Sequence, residues 1–438
     1  MCCRAKRIDR VFEKIWLFGV STSWENINFK ELIMPTHILV ECPELIVSAS
    51  LGVISALKPM EERGLLQVRF MRTTDIRKKD ISWTDTLITV RGCEPLTVNI
   101  IKQAKKAGRL IIYYLDDDLL HIPAESLSRE YYDDPIIREG MKKSLELADI
   151  LWGVNPNIKN RYLQFTQGRW IQNRVAKVPE NILQTGPDLP IKILYAGSID
   201  HEVIVREILA PVALRLYDKY GERVDFTFIG ADPGICGQKG IHFIPFIKPY
   251  EAYCEYVKNG NFSIGLAPGR LDEFFACKYY NKYLEYSTIG AVGVYTNADP
   301  YTQIVSDGIN GILCENTVDG WCSAIERLLN DSELLRFCAD NSRKILKDKF
   351  NVTTVTDELL DQCPEFREYR APECNIQKIH IGNSFLAFYW GRTTLLWRQR
   401  GVFGIPEILF RAIKVLFMTS IKEISHFVQN IFRWNKEQ

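Results

Sequence analysis

The sequence predicts an α/β protein made of two parallel-sheet domains and a C-terminal amphipathic helical tail. Two series of alternating strand and helix patterns indicate the sheets, because parallel strands need crossover helices. A polar, turn-rich segment, Glu180–Pro190, separates the series, and 438 residues suffice for two cores. We therefore expect an N-terminal extension in residues 1–33 and domains at 34–185 and 186–350. A crossover segment and the tail occupy 351–438.

Composition excludes several classes of protein. Hydrophobic residues make up 46% and charged residues 25% of the chain, as in globular proteins. A net charge of +1 gives no overall attraction to nucleic acid, and we expect no nucleic-acid partner. No apolar run is long enough to span a bilayer, and the 12 cysteines are scattered without a C-x-x-C motif. We expect reduced thiols in a cytoplasmic protein, peripheral to the inner face of the membrane.

The first series places charged residues where strands end. Strands are expected at His37–Glu41, Leu66–Met71, Thr86–Val90, Arg109–Leu115 and Ile150–Val154, and helices at Ser48–Glu62, Leu96–Lys106 and Pro135–Ala148. Arg91 follows the third strand, and Asp116, Asp117 and Asp118 follow the fourth. Ligands of parallel sheets lie beyond the carboxyl ends of the strands, so these side chains are candidates for function.

The triple aspartate has three interpretations. Asp116 and Asp117 suit acceptor binding or proton handling, and the run also fits a solvated turn. The spacing D-x-D is, in addition, one that chelates a divalent ion. His121, which follows closely, either orients an acceptor or is an ordinary loop histidine.

The second series repeats the pattern. Strands are expected at Lys192–Tyr195, Arg223–Ile229, Ile241–Pro245, Phe262–Ala267 and Ala291–Tyr295, and helices at Glu202–Tyr220, Pro249–Lys258, Thr317–Leu329 and Ser332–Lys349. Gly197 and Ser198 form a small-residue turn between the first strand and its helix. Such a turn lets backbone amides approach phosphate oxygens, and the alternative is a simple strand-to-helix connection.

The stretch Leu266–Asn297 carries the strongest signal. After a strand broken at Pro268, a helix pattern places Lys278, Lys282 and Glu285 at i, i+4 and i+7, on one face. Two cations beside one carboxylate can balance a diphosphate and accept from ribose hydroxyls. The alternative is an amphipathic surface helix, in which such ion pairs contribute little.

The run KYYNKYLEYSTIGAVGVYT, residues 278–296, resembles the donor-sugar signature of the GT-B glycosyltransferases of family 4 (group 1), which build cell-surface glycans. The similarity covers roughly residues 36–350. It implies two Rossmann-like domains facing a cleft, retention of anomeric configuration, and a nucleotide-diphosphate-sugar co-substrate without bound cofactor or metal. The family pattern has two glutamates separated by seven residues. Glu285 matches the second, whereas Cys277 stands at the first.

The resemblance implies roles for the candidate residues. The catalytic residues are Asp116, Asp117 and Lys282. The donor-binding residues are Gly197, Ser198, Lys278, Lys282 and Glu285. The acceptor-side residues are Arg91, Asp118 and His121. Lysine and arginine would neutralise the diphosphate in place of a metal.

Residues 381–432 predict contact with a membrane surface. Aromatic and basic residues precede an amphipathic pattern, as in interfacial helices. Such a tail suits a lipid-linked acceptor; the alternative is a helix that folds back across both domains.

The sequence thus favours an enzyme that moves a sugar from a nucleotide-sugar to a hydroxyl of a glycan or lipid-linked acceptor. Two alternatives stay open. A nucleotide-sugar epimerase can use the same fold, and Cys277 also fits a non-catalytic partner subunit with a lost donor site.

Overall fold

The computed structural model describes residues 34–44, 46, 48–124, 126, 128–179, 189–235, 237–381 and 384–409. The compact unit that contains both sheets begins at Thr36. The expected N-terminal extension, most of the Glu180–Pro190 linker and the tail beyond residue 409 lie outside the described residues.

The first sheet has six parallel strands in the order β2-β1-β3-β4-β5-β6. The strands are β1 (Thr36–Cys42), β2 (Leu66–Arg72), β3 (Thr86–Val90), β4 (Leu110–Leu115), β5 (Ile150–Gly153) and β6 (Arg169–Gln172). The helices are α1 (Ser55–Glu62), α2 (Lys78–Trp83), α3 (Pro95–Lys106), α4 (Arg129–Tyr132), α5 (Pro135–Leu147) and α6 (Pro156–Tyr162). Strands β3 and β5 are buried throughout, as expected when helices cover both faces of a parallel sheet.

The second sheet also has six parallel strands, in the order β12-β11-β10-β7-β8-β9. The strands are β7 (Ile191–Ala196), β8 (Val224–Ile229), β9 (Ile241–Ile244), β10 (Ile264–Ala267), β11 (Val292–Thr296) and β12 (Ile312–Cys314). The helices are α7 (Glu202–Ile204), α8 (Ala210–Tyr220), α9 (Tyr250–Asn259), α10 (Glu273–Ala276), α11 (Asn281–Thr288), α12 (Val318–Asn330) and α13 (Ser332–Lys349). This arrangement confirms the predicted two-sheet α/β fold.

The predicted strands all occur, and their ends differ from prediction by at most two residues. Strands β6 and β12 were not predicted, because short strands give weak patterns. Two predicted helices contain wider, π-helical stretches, Ser48–Ile54 and Val205–Leu209. The prediction of one continuous helix through Lys278, Lys282 and Glu285 is wrong, because α10 ends at Ala276 and α11 begins at Asn281.

The chain returns to the first domain after α13. Helices α14 (Val352–Gln362) and α15 (Glu365–Glu368) bury Leu359 and Phe366 in the same core as the first sheet. Helix α16 (Ser384–Arg400) packs on α3, where Arg392 Nη2 lies 3.0 Å from the buried Glu94 carboxylate. The described part of the C-terminal segment therefore completes the first domain.

Within the described ranges, no helix is both long enough and apolar enough to cross a membrane.

Candidate functional site

The first half of the candidate site lies where β3 and β4 end. Arg91 adopts a left-handed backbone conformation (φ 55°), and its N–H donates to the Tyr114 carbonyl at 3.0 Å. This turn directs the guanidinium across the sheet edge. Its Nε donates to Asp116 Oδ1 and its Nη2 to Asp117 Oδ2, both at 2.7 Å. One arginine thereby holds two of the three predicted aspartates in place.

Lys278 brings the second domain to the same cluster. Its Nζ lies 3.1 Å from Asp117 Oδ1, so Asp117 contacts a cation from each domain. Burial alone would raise the pKa of Asp117, but Lys278 and Arg91 hold that pKa below its usual range. The four side chains form one mixed-charge cluster at the junction of the two sheets, which we call the junction cluster (Arg91, Asp116, Asp117 and Lys278).

Two asparagines at the start of α6 hold the turn that carries Lys278. Asn155 Nδ2 donates to the carbonyls of Ala276 (2.9 Å) and Lys278 (2.7 Å), and its Oδ1 caps α6 by accepting from the Asn157 N–H. Asn157 Nδ2 donates to the Ala276 carbonyl at 2.9 Å. These bonds account for the break between α10 and α11, because they occupy carbonyls that a continuous helix would use. They direct Lys278 away from Lys282.

The second half of the candidate site is on α11. Lys282 Nζ lies 2.5 Å from Glu285 Oε2, and the Tyr253 hydroxyl from α9 donates to the same oxygen at 3.0 Å. The lysine and glutamate side chains are largely buried. Burial would lower the pKa of Lys282, but Glu285 raises it above its usual range. The lysine therefore stays charged, in a place where its field is weakly screened.

The turn after β7 is tightly packed. The Gly197 N–H donates to the Ile229 carbonyl at 3.0 Å, which joins the turn to the end of β8. A β-carbon on Gly197 would lie 2.2 Å from the Tyr195 hydroxyl, so a larger residue here would require the Tyr195 ring to move. Ser198 is partly exposed and precedes a single 3-10 turn rather than an α-helix. The predicted small-residue turn thus lies at the carboxyl edge of the second sheet, followed by a 3-10 turn instead of the predicted helix start.

Asp118 does not join its two neighbours. Its carboxylate is fully buried, accepts from the Tyr162 hydroxyl at 2.7 Å and pairs with Arg161 Nε at 2.6 Å. His121 Nδ1, 2.8 Å away, is the exposed member of this group. The Asp118 carboxylate thus faces α6 rather than Asp116 and Asp117, and its acceptor-side role stays a prediction.

Sequence reasoning missed three partners in this region. Asn155 contacts a residue more than a hundred positions away, and Tyr253 contacts one about thirty positions away. No local sequence pattern signals such pairs. Glu41 is a fully buried carboxyl whose oxygens accept from Thr73, Thr89 and Thr97. A lone glutamate inside the apolar strand β1 was the available signal for it.

Cys277 occupies the position where the resemblance places a glutamate. Its side chain is fully buried in the core of the first domain, and burial raises the pKa of its thiol to about 12. The thiol is therefore neutral and packed at neutral pH. This position supplies no carboxylate to a ligand.

The fold built from these two sheets is that of the GT-B glycosyltransferases. HepE from Anabaena, crystallised with UDP and glucose, is similar in structure with a TM-score of 0.53 and 13% identity; the match covers 76% of this chain and 99% of HepE. Sucrose-phosphate synthase from Thermosynechococcus elongatus also gives 0.53, at 14% identity over 75% of this chain and 98% of the synthase. No protein-family model and no curated protein matches the sequence.

Proposed function

We propose that this protein is a retaining glycosyltransferase that moves a sugar from a nucleotide-diphosphate-sugar to a hydroxyl of a glycan acceptor. The observation that carries the proposal is the pairing of a buried, charged Lys282–Glu285 couple at the carboxyl edge of the second sheet with the junction cluster at the edge of the first. Similarity to UDP-bound HepE in fold supports a nucleotide as the donor's carrier.

The donor half is proposed to work by electrostatics. Lys282 offers a positive charge in a poorly solvated place, which stabilises negative charge that develops on a departing diphosphate. Glu285 is positioned to accept from ribose hydroxyls, and Tyr253 orients it. We place the Gly197–Ser198 turn, which lies at the same sheet edge, beside the phosphates of the donor. Lys278 contributes a second cation when phosphate oxygens compete with Asp117 for it.

The acceptor half is proposed to orient a hydroxyl. The acceptor oxygen bonds to the anomeric carbon on the face from which the diphosphate departs. The bond from that carbon to the diphosphate oxygen breaks, and the hydroxyl proton passes to that departing oxygen. Asp116 and Asp117 accept the hydrogen bond of the incoming hydroxyl, with Arg91 holding both carboxylates in place. Since cations hold the pKa of Asp117 low, this residue suits orienting the hydroxyl rather than keeping its proton. His121 borders this half, and Asp118 supports it from beneath.

Nucleotide binding tests the proposal most directly. Thermal unfolding midpoints are measured with UDP, GDP, dTDP, ADP and CMP, with and without magnesium, because a ligand of the folded state raises the midpoint. We expect one nucleotide to raise it and Glu285→Ala to abolish the shift. Glu222→Ala is the control, since Glu222 pairs with Lys239 on the exposed surface of the same domain. The absence of any shift would refute the donor site.

A magnesium requirement would be a separate refutation. If the shift needed magnesium and Asp116→Asn removed it, the aspartates would hold a metal and the proposed electrostatic role of the lysines would fail. Incubation with the nucleotide-sugar alone distinguishes an epimerase, which would convert the donor without any acceptor.

One observation favours a second candidate function. The burial of Cys277 leaves the donor edge without the first glutamate of the family pattern, which fits a non-catalytic partner subunit. A nucleotide shift without transfer to any acceptor, and without loss of the donor, would support that candidate.

We also propose that the C-terminal segment contacts a membrane surface and brings the enzyme to a lipid-linked acceptor. Large apolar side chains are exposed after the middle of α16, with Phe403 87% exposed and Trp397 half-exposed. Arg398 and Arg400 lie among them, a composition typical of interfacial helices. Flotation with phosphatidylglycerol vesicles tests this. Phe403→Asp should abolish flotation, whereas Phe337→Asp, at an exposed phenylalanine of α13, should not.

A further inference from the structure

A groove on the second domain lies away from the candidate donor site. It is floored by β7, β8 and β9 and walled by α9, and it encloses about 840 Å³, within the range of small-ligand sites. Lys192 and Asp225, the second residues of β7 and β8, stand at one end of its floor. The groove therefore begins near the amino ends of the strands, whereas the candidate donor site lies beyond their carboxyl ends.

The floor of this groove carries polar side chains where the fold usually places apolar ones. Strands inside a doubly wound sheet usually present apolar residues to the covering helix. Here the inner strands β7 and β8 present Lys192, Asp225 and Thr227, and β9 adds His242. The His242 Nε2 and Asp225 Oδ1 atoms are 2.7 Å apart, so part of the polar floor is already ordered.

The wall supplied by α9 is equally polar. Ala252, Glu255, Tyr256 and Asn259 are spaced as one helical stripe and all line the groove. Across the parts of the chain that the structure describes, the side chains of Glu255 and Asn259 make no hydrogen bond or ion pair. Tyr256, which also lines the groove, is 40% exposed. Helix α9 thus buries Val257 in the core of the domain and presents this second stripe to the groove.

The charges select the class of ligand. The carboxylates of Asp225 and Glu255 would repel a phosphate, and the ammonium group of Lys192 would repel a strongly cationic ligand. Saccharide hydroxyls both donate and accept, so they match a lining that mixes carboxylates, an amide and a hydroxyl. The ring of Tyr256 offers an apolar face to the C–H side of a sugar.

We propose that this groove is a second, non-catalytic binding site for a neutral saccharide segment. The site would hold a distal part of a glycan acceptor while its end is extended elsewhere on the protein. The choice of a glycan as the ligand rests on the proposed function, whereas the existence of the site rests on the groove itself.

Binding to immobilised saccharides tests the inference. The full chain is passed over surfaces carrying cellohexaose, maltohexaose or chitohexaose, and over a hexalysine surface as the basic-peptide alternative. We expect binding to at least one saccharide and at least a tenfold loss in Tyr256→Ala. Ala252→Trp, which fills the groove from an exposed position, should cause the same loss. Glu251→Trp adds the same ring one residue earlier on α9, outside the groove, and should bind as the wild type does.

The outcomes separate this inference from the proposed function. Binding to no saccharide, binding to hexalysine alone, or equal binding by Ala252→Trp would overturn the groove site. Loss of saccharide binding in Glu285→Ala would place the sugar in the donor site and would also overturn it. If no nucleotide shifts the unfolding midpoint but Ala252→Trp loses saccharide binding, the proposed function fails and the groove site stands.

Discussion

Replacing Asn155 measures how strongly the two domains are joined. This side chain is almost completely buried, and it makes two kinds of contact. Its oxygen caps α6, and its amide group donates to two carbonyls of the turn that carries Lys278, at 2.9 and 2.7 Å. Serine is an equally good helix cap but lacks the amide donors, whereas alanine lacks both. Comparing the two variants therefore separates the cap from the junction between domains.

The expected magnitudes follow from these contacts. Two hydrogen bonds contribute about 0.5–1.5 kcal/mol each, and a buried carbonyl left without a donor costs more. Asn155→Ser should therefore lower the free energy of unfolding by about 2–4 kcal/mol. Asn155→Ala should lower it by about 1 kcal/mol further, because the cap is lost too.

Equilibrium unfolding in urea, followed by tryptophan fluorescence, is the assay. A lower midpoint at an unchanged slope reports a loss of stability. Asn351→Ser is the matched control, because Asn351 caps α14 and, among the described residues, its side chain bonds to near neighbours in sequence. A midpoint for Asn155→Ser equal to that of the wild type would refute the reasoning, since the amide bonds would then contribute nothing.

Three further predictions concern buried charges. Burial holds the pKa of Glu41 above its usual range, so the folded wild type loses stability as rising pH ionises this group. The urea midpoint of Glu41→Gln minus that of the wild type should therefore increase with pH, and a constant difference would contradict this. Asp117 shows the opposite pH dependence, because Lys278 holds its pKa low and stabilises the ionised form. The stability lost in Lys278→Met should therefore shrink as pH falls below about 4, where the carboxyl becomes protonated. A loss that persists in acid would contradict this. Arg392→Met leaves the Glu94 carboxylate buried without its cation, which should lower the free energy of unfolding by about 3 kcal/mol. It should also speed tryptic cleavage at α16, and unchanged cleavage would show that the pair does not hold α16 on the first domain.

The fold was predictable because it depends on periodic patterns. A continuous apolar run such as β4 is the expected signal of a strand covered on both faces, and a glycine turn marks the end of β7. Charged residues at those ends, such as Arg91 and Asp117, could be placed near a ligand by topology alone. That inference does not need any contact to be known.

The local geometry of the candidate site was less predictable, because long-range contacts determine it. The spacing of residues 273–288 fits one helix, and only the hydrogen bonds from Asn155 and Asn157 show that the helix stops before Lys278. In the same way, Asp117 and Asp118 are adjacent in sequence but point to opposite sides, which no composition rule specifies. Pairing between distant residues was the missing information.

The return of α14 and α15 to the first domain has a consequence for synthesis. Translation proceeds from the amino terminus, so the last strand of the first sheet, β6, is made almost two hundred residues before Phe366, which packs into the same core. At ordinary translation rates this delay is roughly 10–40 seconds. Throughout that interval the first sheet emerges from the ribosome with part of its apolar surface uncovered. The domain that begins first is thus finished last, after the second domain has left the ribosome.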